Sequence, residues 1–390
     1  MKKLIAISVM LVLLTGAAFA QISGDLNLGV TLIHSQSYEN APSTATDIYI
    51  GGRGADFGHE NGAKWSLTFG EGTGSGRIVY RLHDNTFWGW FQWTPIEQLR
   101  IRFGWDRDGI WGAAQINGWG FTGVAKDLVA VRDYNGGLFM AARDAAFYGG
   151  LGDGIANVLA VSILPMDGLQ INLGLPSIAA GNWGGGLGTK QEMSIALSTF
   201  HLNVVYNIED VGVTRLSFVG LGGLGKDKEK TASVGRVFGS FYLTAIQGMA
   251  IDIGVRYDLP WQNAANQDNG GQLAVGFGFN MPQVVENLSF KLRAGATLSG
   301  KTNGADNATT ISLGILPMYN FGSFRFYFHA GLGMSMPNQG DTSMDWFVNP
   351  YIQIPAGGFN FWIGLQIEEK DTGAKDGIAW GIPIGFNVNY

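Results

Sequence analysis

The chain has 390 residues, no cysteine, and 25 Lys+Arg against 31 Asp+Glu, a formal net charge of −6. That balance excludes the basic stripe by which nucleic acid is bound, and the lack of cysteine excludes a disulfide framework and a thiolate metal centre. Charged residues make up 14% where soluble domains carry roughly 25%, and the 60 Gly and 24 Phe, with 12 Trp and 12 Tyr, disfavour a helical or doubly wound enzyme, because glycine weakens helices while aromatics suit pleated, half-buried surfaces.

The N-terminus reads as an export signal. Met1-Lys2-Lys3 is basic, Leu4 to Leu14 is apolar, and Ala18-Phe19-Ala20 is a small-residue cleavage site, so residues 1–20 form a secretory signal peptide and the mature chain starts near Gln21. A retained membrane helix would need about 20 apolar residues and is the weaker reading. Removing Lys2 and Lys3 takes the net charge to −8, starting from the −6 of the full chain. Residues 21–390 are then read as one domain.

Period-two alternation starts almost at once. Leu26, Leu28, Val30 and Leu32 alternate with Asn27, Gly29 and Thr31; Trp65, Leu67 and Phe69 with Lys64, Ser66 and Thr68. Such alternation puts one set of side chains on each face of a strand. Gly70 to Gly76 is a Gly/Ser/Thr turn, and Ile78, Tyr80 and Leu82 follow, opposed by Arg77, Arg81 and His83. The hairpin from Thr86 to Asp106 turns at Thr94-Pro95-Ile96-Glu97-Gln98. After it Leu99, Ile101, Phe103 and Trp105 oppose Arg100, Arg102, Gly104 and Asp106. Arginines on one face are unwelcome in lipid, so that face must be the wet one.

From 107 to 153 the alternation blurs, and the stretch is either two further strands or a long loop folded into the pore. Hairpins resume with turns at Pro165–Gly168, Glu209–Gly212, Gln247-Gly248, Pro282–Asn287, Asn320–Gly322 and Pro355–Gly357. Between them lie longer polar connections, at 35–61, 226–230, 260–270, 300–307, 337–341 and 368–376. Short turns alternating with long loops are the rhythm of periplasmic turns and extracellular loops, and the count is roughly 16–18 antiparallel strands. No repeat of fixed period appears, which disfavours a propeller.

The last stretch carries the strongest signal. Trp380, Ile382, Ile384, Phe386, Val388 and Tyr390 are apolar, and every residue between them is Gly, Pro or Asn. A closing strand with a terminal aromatic resembles the C-terminal signature of bacterial outer-membrane β-barrels of the porin-like type. The resemblance implies an all-β, antiparallel transmembrane barrel in the outer membrane, surrounded by lipid, whose last strand is recognised by the barrel-assembly machinery and zips against the first.

Within such a barrel, Arg77, Arg100, Arg102, Arg215, Lys291, Arg293 and Arg325 each fall within a few residues of a short turn. They would gather as a basic collar in the lower half of the pore and raise the local concentration of anions. The alternative is that a wet channel simply tolerates polar residues. Trp88, Trp90, Trp93, Trp105, Trp346, Tyr351 and Trp362 read by default as interfacial girdles. Trp88 and Trp90 oppose Phe87, Phe91 and Trp93, so one of these sets looks inward as a candidate stacking surface.

Other motifs are weak. Gly220–Lys226 imitates a phosphate-binding loop until Asp227 replaces the required hydroxyl, and Asp106-Arg107-Asp108-Gly109 starts a calcium loop without its later ligands. No metal or cofactor is expected. His34, His59, His83, His201 and His329 show no spacing with Ser and Asp that suggests a hydrolase; by parity His83 and His329 face the lumen. The expected function is therefore a porin-like channel for passive diffusion of small hydrophilic solutes with an anion bias, and not an enzyme. A surface adhesin or structural barrel is one alternative. A fatty-acid transporter of the FadL type is another, although strand one starts too soon for a plug. Assembly into a homo-oligomer is left open.

Overall fold

A computed structural model describes residues 21–36, 43–50, 63–81, 86–106, 157–176, 178–179, 182–183, 201–219, 236–262, 268–300, 307–370 and 377–389. The described residues are all strand and connection. The first strands are β1 (Gln21–Gln36), β2 (Ser43–Ile50), β3 (Ala63–Phe69), β4 (Gly74–Arg81), β5 (Thr86–Ile96), β6 (Leu99–Asp106), β7 (Asn157–Met166) and β8 (Leu169–Pro176). A small hairpin, β9 (Ile178–Ala179) and β10 (Asn182–Trp183), precedes β11 (His201–Ile208), β12 (Gly212–Val219), β13 (Arg236–Leu243) and β14 (Ala250–Asp258). A second one, β15 (Trp261–Gln262) and β16 (Asp268–Asn269), precedes β17 (Gln272–Val285), β18 (Leu288–Ser299), β19 (Ala308–Asn320) and β20 (Arg325–Pro337). The last are β21 (Ser343–Ala356), β22 (Phe359–Gly364), β23 (Gln366–Lys370) and β24 (Gly377–Asn389).

Leaving out the two small hairpins, 20 strands form one sheet in which each is antiparallel to its neighbours. The sheet closes because β24 pairs with β1, from Asp25↔Asn389 to Gln36↔Ala379. On its other side β1 pairs with β3 over Gln21–Leu26 and with β2 over Leu28–Gln36, so β2 and β3 together fill one place in the ring. β22 and β23 likewise fill one place between β21 and β24, separated only by Leu365. The 20 strands therefore occupy 18 positions, the upper end of the expected range. Cylinders of this size enclose a channel, whereas an eight-stranded one is filled by its own side chains.

Polarity is inverted relative to a water-soluble core. On β14, Ala250, Asp252, Gly254 and Arg256 are buried while Ile253, Val255 and Tyr257 are exposed. On β19, Ser312 is buried while Ile311 and Leu313 are exposed. Buried polar and exposed apolar side chains alternate in this way because the outward face is made for lipid and the inward one for a polar interior. Two stacked sheets with a dry apolar middle would show the reverse.

The short connections turn out tighter than the sequence suggests. Pro95, Pro165 and Pro282 lie inside strands, at irregularities in the ladder between Trp93 and Ile96, Ile163 and Met166, and Met281 and Val285. A proline has no N–H to give, and a bulge is where none is needed. The turns shrink to pairs such as Glu97-Gln98, Asp167-Gly168 and Glu286-Asn287. Asp210 (φ 59°) and Asn287 (φ 66°) take the left-handed conformation that these turns require, and Asp and Asn tolerate it best after Gly. At Gly168 (φ +76°) a Cβ would also lie 2.3 Å from the Asn207 carbonyl oxygen. A further correction concerns 35–61, expected as a long connection, which contains β2. Residues 107–156, with both readings of 107–153, lie outside the described residues, as does the signal segment.

Candidate functional site

The site is the inner wall. Its depth is set by the short turns, because equal numbers of residues past equivalent turns reach equal heights. Four residues past their turns stand Arg77 on β4, Arg102 on β6, Asn172 on β8, Arg215 on β12, Asp252 on β14, Lys291 on β18 and Trp362 on β22. All seven share the inward parity: Arg102 is level with Gln92 and Ala160, Arg215 with Ser240, and Lys291 with Asn280. They make a ring.

Of the residues expected in a basic collar, Arg77, Arg102, Arg215 and Lys291 lie in this ring. Arg100 is level with Ser162, one inward step nearer the turn, and Arg293 lies one inward step deeper. Arg325 is level with Gln353 at the mouth and is exposed. The ring is not purely cationic. Asp252 is fully buried within it, and Arg293 and Arg215 both act on its carboxylate electrostatically. The sequence reading missed Asp252 because it looked for cations only; the same count of four from Gly248 finds it.

On the side of β3 to β6 the cations are held by the adjacent strands. Arg102 Nη2 donates to Gln92 Oε1 at 2.9 Å, and its guanidinium lies 3.9 Å from the centre of the Trp90 ring. Arg77 Nη2 donates to Ser66 Oγ at 3.5 Å. From β8 to β12 a ladder of amides lines the wall: Gln170 Nε2 donates to Asn172 Oδ1 (2.7 Å), Asn172 Nδ2 to Asn203 Oδ1 (3.0 Å), and Asn203 Nδ2 to Ser217 Oγ (2.6 Å). Asn172, Asn203 and Ser217 are fully buried.

The wall from β14 to β20 is paved with glycine. Gly254, Gly276 and Gly295 are in register across β14, β17 and β18, continuing through Ser312 to Gly333. One inward step nearer the turns the row runs Asp252, Gly278, Arg293, Gly314, Gly331 and Phe347. Above these rows Arg256 pairs with Asp258 at 3.2 Å and donates to Gln272 Oε1 at 2.6 Å, and Gln272 Nε2 donates to Ser299 Oγ at 2.9 Å. Beside it His329 meets Phe347 edge to face at 4.7 Å, and the Tyr327 and Tyr351 rings stack at 4.5 Å.

The aromatic assignments need correcting. Trp93 is outward and exposed, and Trp346 is outward, its indole N–H capping the Glu369 carboxylate, as a girdle residue would be. Trp90, Tyr351 and Trp362 instead face inward. In Phe359–Ile363 the inward Trp362 stands between the outward Phe361 and Ile363, so residue type alone does not separate it from a girdle residue. Tyr351 and Trp362 are buried (1% and 5% exposed), which leaves no free face for stacking a solute. The side chains of Trp88, Trp105, His34, His83 and His201, and the look-alike motif at 220–226, lie outside the described residues; so do Asp108 and Gly109. His329 faces inward as expected. No group of three or more His, Asp or Glu able to hold a metal occurs among the described residues.

The closing strand is where the sequence put it. Trp380, Ile384, Phe386 and Val388 are in register with Ile367, Ile363, Phe361 and Phe359, and with β1 on the other side. Ile382 continues that parity, and Tyr390 lies just beyond the described residues.

No protein-family model matches the chain, and no curated protein does so. Solved structures do match along the whole length. An anion-selective porin from Comamonas acidovorans aligns with a TM-score of 0.55 at 10% identity, over 95% of this chain and 99% of that one. OpdQ of Pseudomonas aeruginosa aligns at 0.54 and 10% identity over 96% and 98%, and OccAB4 of Acinetobacter baumannii at 0.52 and 9% over 95% and 98%. At such identities the likeness is one of fold, and the fold is the porin-like outer-membrane β-barrel that the closing strand suggested.

Proposed function

We propose that the protein is an outer-membrane channel through which small hydrophilic solutes diffuse passively, with a preference for anions. The observation that carries this is the ring four residues past the short turns, where, among the described residues, Arg77, Arg102, Arg215 and Lys291 share their depth with one carboxylate, Asp252. Fixed positive charge at a narrow depth between low-dielectric walls raises the local concentration of anions and lowers that of cations. Arg100 and Arg293, one step to either side, extend the positive zone along the axis. That a similar structure is described as an anion-selective porin agrees with this charge.

The remaining assignments follow from the same reading. Residues 1–20 direct export and are removed near Ala20, the short turns face the periplasm, and β24 is the strand presented to the barrel-assembly machinery. The test is the reversal potential of single channels in a salt gradient. Replacing Arg100, Arg102 and Arg293 together by alanine should lower the anion-to-cation permeability ratio several-fold. An unchanged ratio would retire the collar as a selectivity element, and a barrel that never conducts would point to an adhesin or structural role.

A further inference from the structure

The short-turn end of the barrel separates charge by sign. Across its connections, 70–73, 97–98, 167–168, 209–211, 244–249, 286–287, 321–324 and 357–358, no lysine or arginine occurs. The charged residues there are Glu71, Glu97, Asp167, Glu209, Asp210 and Glu286, all of them exposed. All but Glu286 sit on consecutive turns of the ring, from β3–β4 round to β11–β12. The inner-face cations start further in. Arg100 stands two residues past its turn, and Arg77, Arg102 and Lys291 stand four past theirs, each only half-buried. Arg325, exposed at the mouth, begins β20 on the arc whose turns at 321–324 and 357–358 carry no charge.

An open recess joins the two levels. It holds about 470 Å³ and is lined by Glu97 and Asp167 at the turns and by Gln170, Val205 and Asn207 on the inner wall. Gln170 is in register with Val205, and Val205 with Arg215, so the recess runs from the acidic turns to the depth of the ring. These two acidic residues therefore border the water that a solute crosses. Four residues of strand at ~3.3 Å each, tilted by about 40°, put rim and ring about 10 Å apart along the axis. The Debye length is about 10 Å in 0.1 M salt and about 3 Å in 1 M. At the lower salt each band of fixed charge governs the ions of its own zone, and at the higher it acts on little beyond contact.

We propose that the acidic rim makes the channel rectify, easing the movement of anions from the long-loop side to the short-turn side. This rests on the anion-channel reading and adds to it a direction. An anion driven that way meets the collar first, where anions are concentrated. The cation moving against it meets the rim first, where cations are concentrated, so both zones stay filled and conductance is high. With the voltage reversed, each ion must enter through the zone that repels its own sign. The pore is then depleted and conductance falls. A collar without the rim keeps only the weaker asymmetry of its off-centre position.

Single channels in planar bilayers with potassium chloride are the test. The chain has no cysteine of its own, so orientation can be read from Gly358→Cys in the β21–β22 turn, where an added Cβ meets nothing within 4 Å. A polymer-linked maleimide too large for the pore alters the current only from the side this turn faces. In about 0.1 M salt the current should be about twofold larger with the short-turn side positive, and nearly symmetric in about 1 M. Glu97→Gln, Asp167→Asn and Glu209→Gln together, all at exposed positions, should remove most of that asymmetry and raise the anion preference. Asp210 is left in place because it holds a left-handed turn. Symmetric current in about 0.1 M salt through a channel that prefers chloride over potassium would overturn the rectifying rim only. Opposite polarity, or an asymmetry that survives the triple variant, would overturn it too. A channel without anion preference would overturn the reading beneath it as well.

Discussion

From β8 to β12 the inner wall is closed on itself: Gln170, Asn172, Asn203 and Ser217 hand hydrogen bonds from strand to strand. From β13 to β20 the same depths carry Gly254, Gly276, Gly278, Gly295, Gly314 and Gly331, and the oxygens of Asp252, Ser240 and Ser312 are left without donors. Both stretches bury polar groups; the first links them in one ladder, while the second leaves Asp252, Ser240 and Ser312 outside any. A ladder that uses up its own donors and acceptors has little left for a solute and chiefly stiffens the sheet. A wall of backbone with orphaned acceptors has no such side-chain network to stiffen it.

Substitutions can break or sharpen this contrast. The largest effect should be the one that ignores it. Leu173→Arg behind the ladder and Leu313→Arg behind the glycine wall both put a charge on the lipid face and should each cost ~2–4 kcal/mol in reversible unfolding from vesicles. Unequal losses, or none, would mean that the two outsides are not both wetted by lipid. Next, Asn203→Leu should cost about 1–3 kcal/mol, because it orphans Asn172 Nδ2 and Ser217 Oγ together. Ser240→Ala on the other wall deletes a hydroxyl that has no partner and should stay within about 0.5 kcal/mol. If the two substitutions cost the same, the walls are not energetically distinct. The smallest effect lies at the turn below the glycine wall: Asn287→Ala should lose about 1 kcal/mol in the left-handed conformation, and Asn287→Gly should lose nothing.

Much of this wall was legible in the sequence, for a simple reason. Where one face meets lipid and the other water, the side chains must alternate, and Leu99–Phe103 or Trp380–Val388 show it without ambiguity. Legibility fails where that contrast fades. β2 reads Ser43-Thr-Ala-Thr-Asp-Ile-Tyr-Ile50, with too little contrast over its first half to mark a strand inside a polar stretch. In β22 a tryptophan, Trp362, stands on the inner face among the outward Phe359, Phe361 and Ile363. Prolines usually mark ends, yet Pro95, Pro165 and Pro282 sit in ladder irregularities that no local pattern announces. The arginines of the collar could be placed by counting from turns. What a count cannot give is which neighbours answer them, and so the amide ladder became visible only once strands stood side by side.

The pairing of β1 with β24 also bears on how the molecule is made. That seam joins the first and last strands of the ring, and without it the sheet would be open on two sides. Until it forms, each partly built sheet ends in two raw edges whose backbone N–H and C=O groups find no partner in a hydrocarbon surrounding. The entropy lost in joining distant segments grows only with the logarithm of their separation, so what opposes closure is chiefly the exposure of those edges. Closing the seam therefore removes both edges in one step.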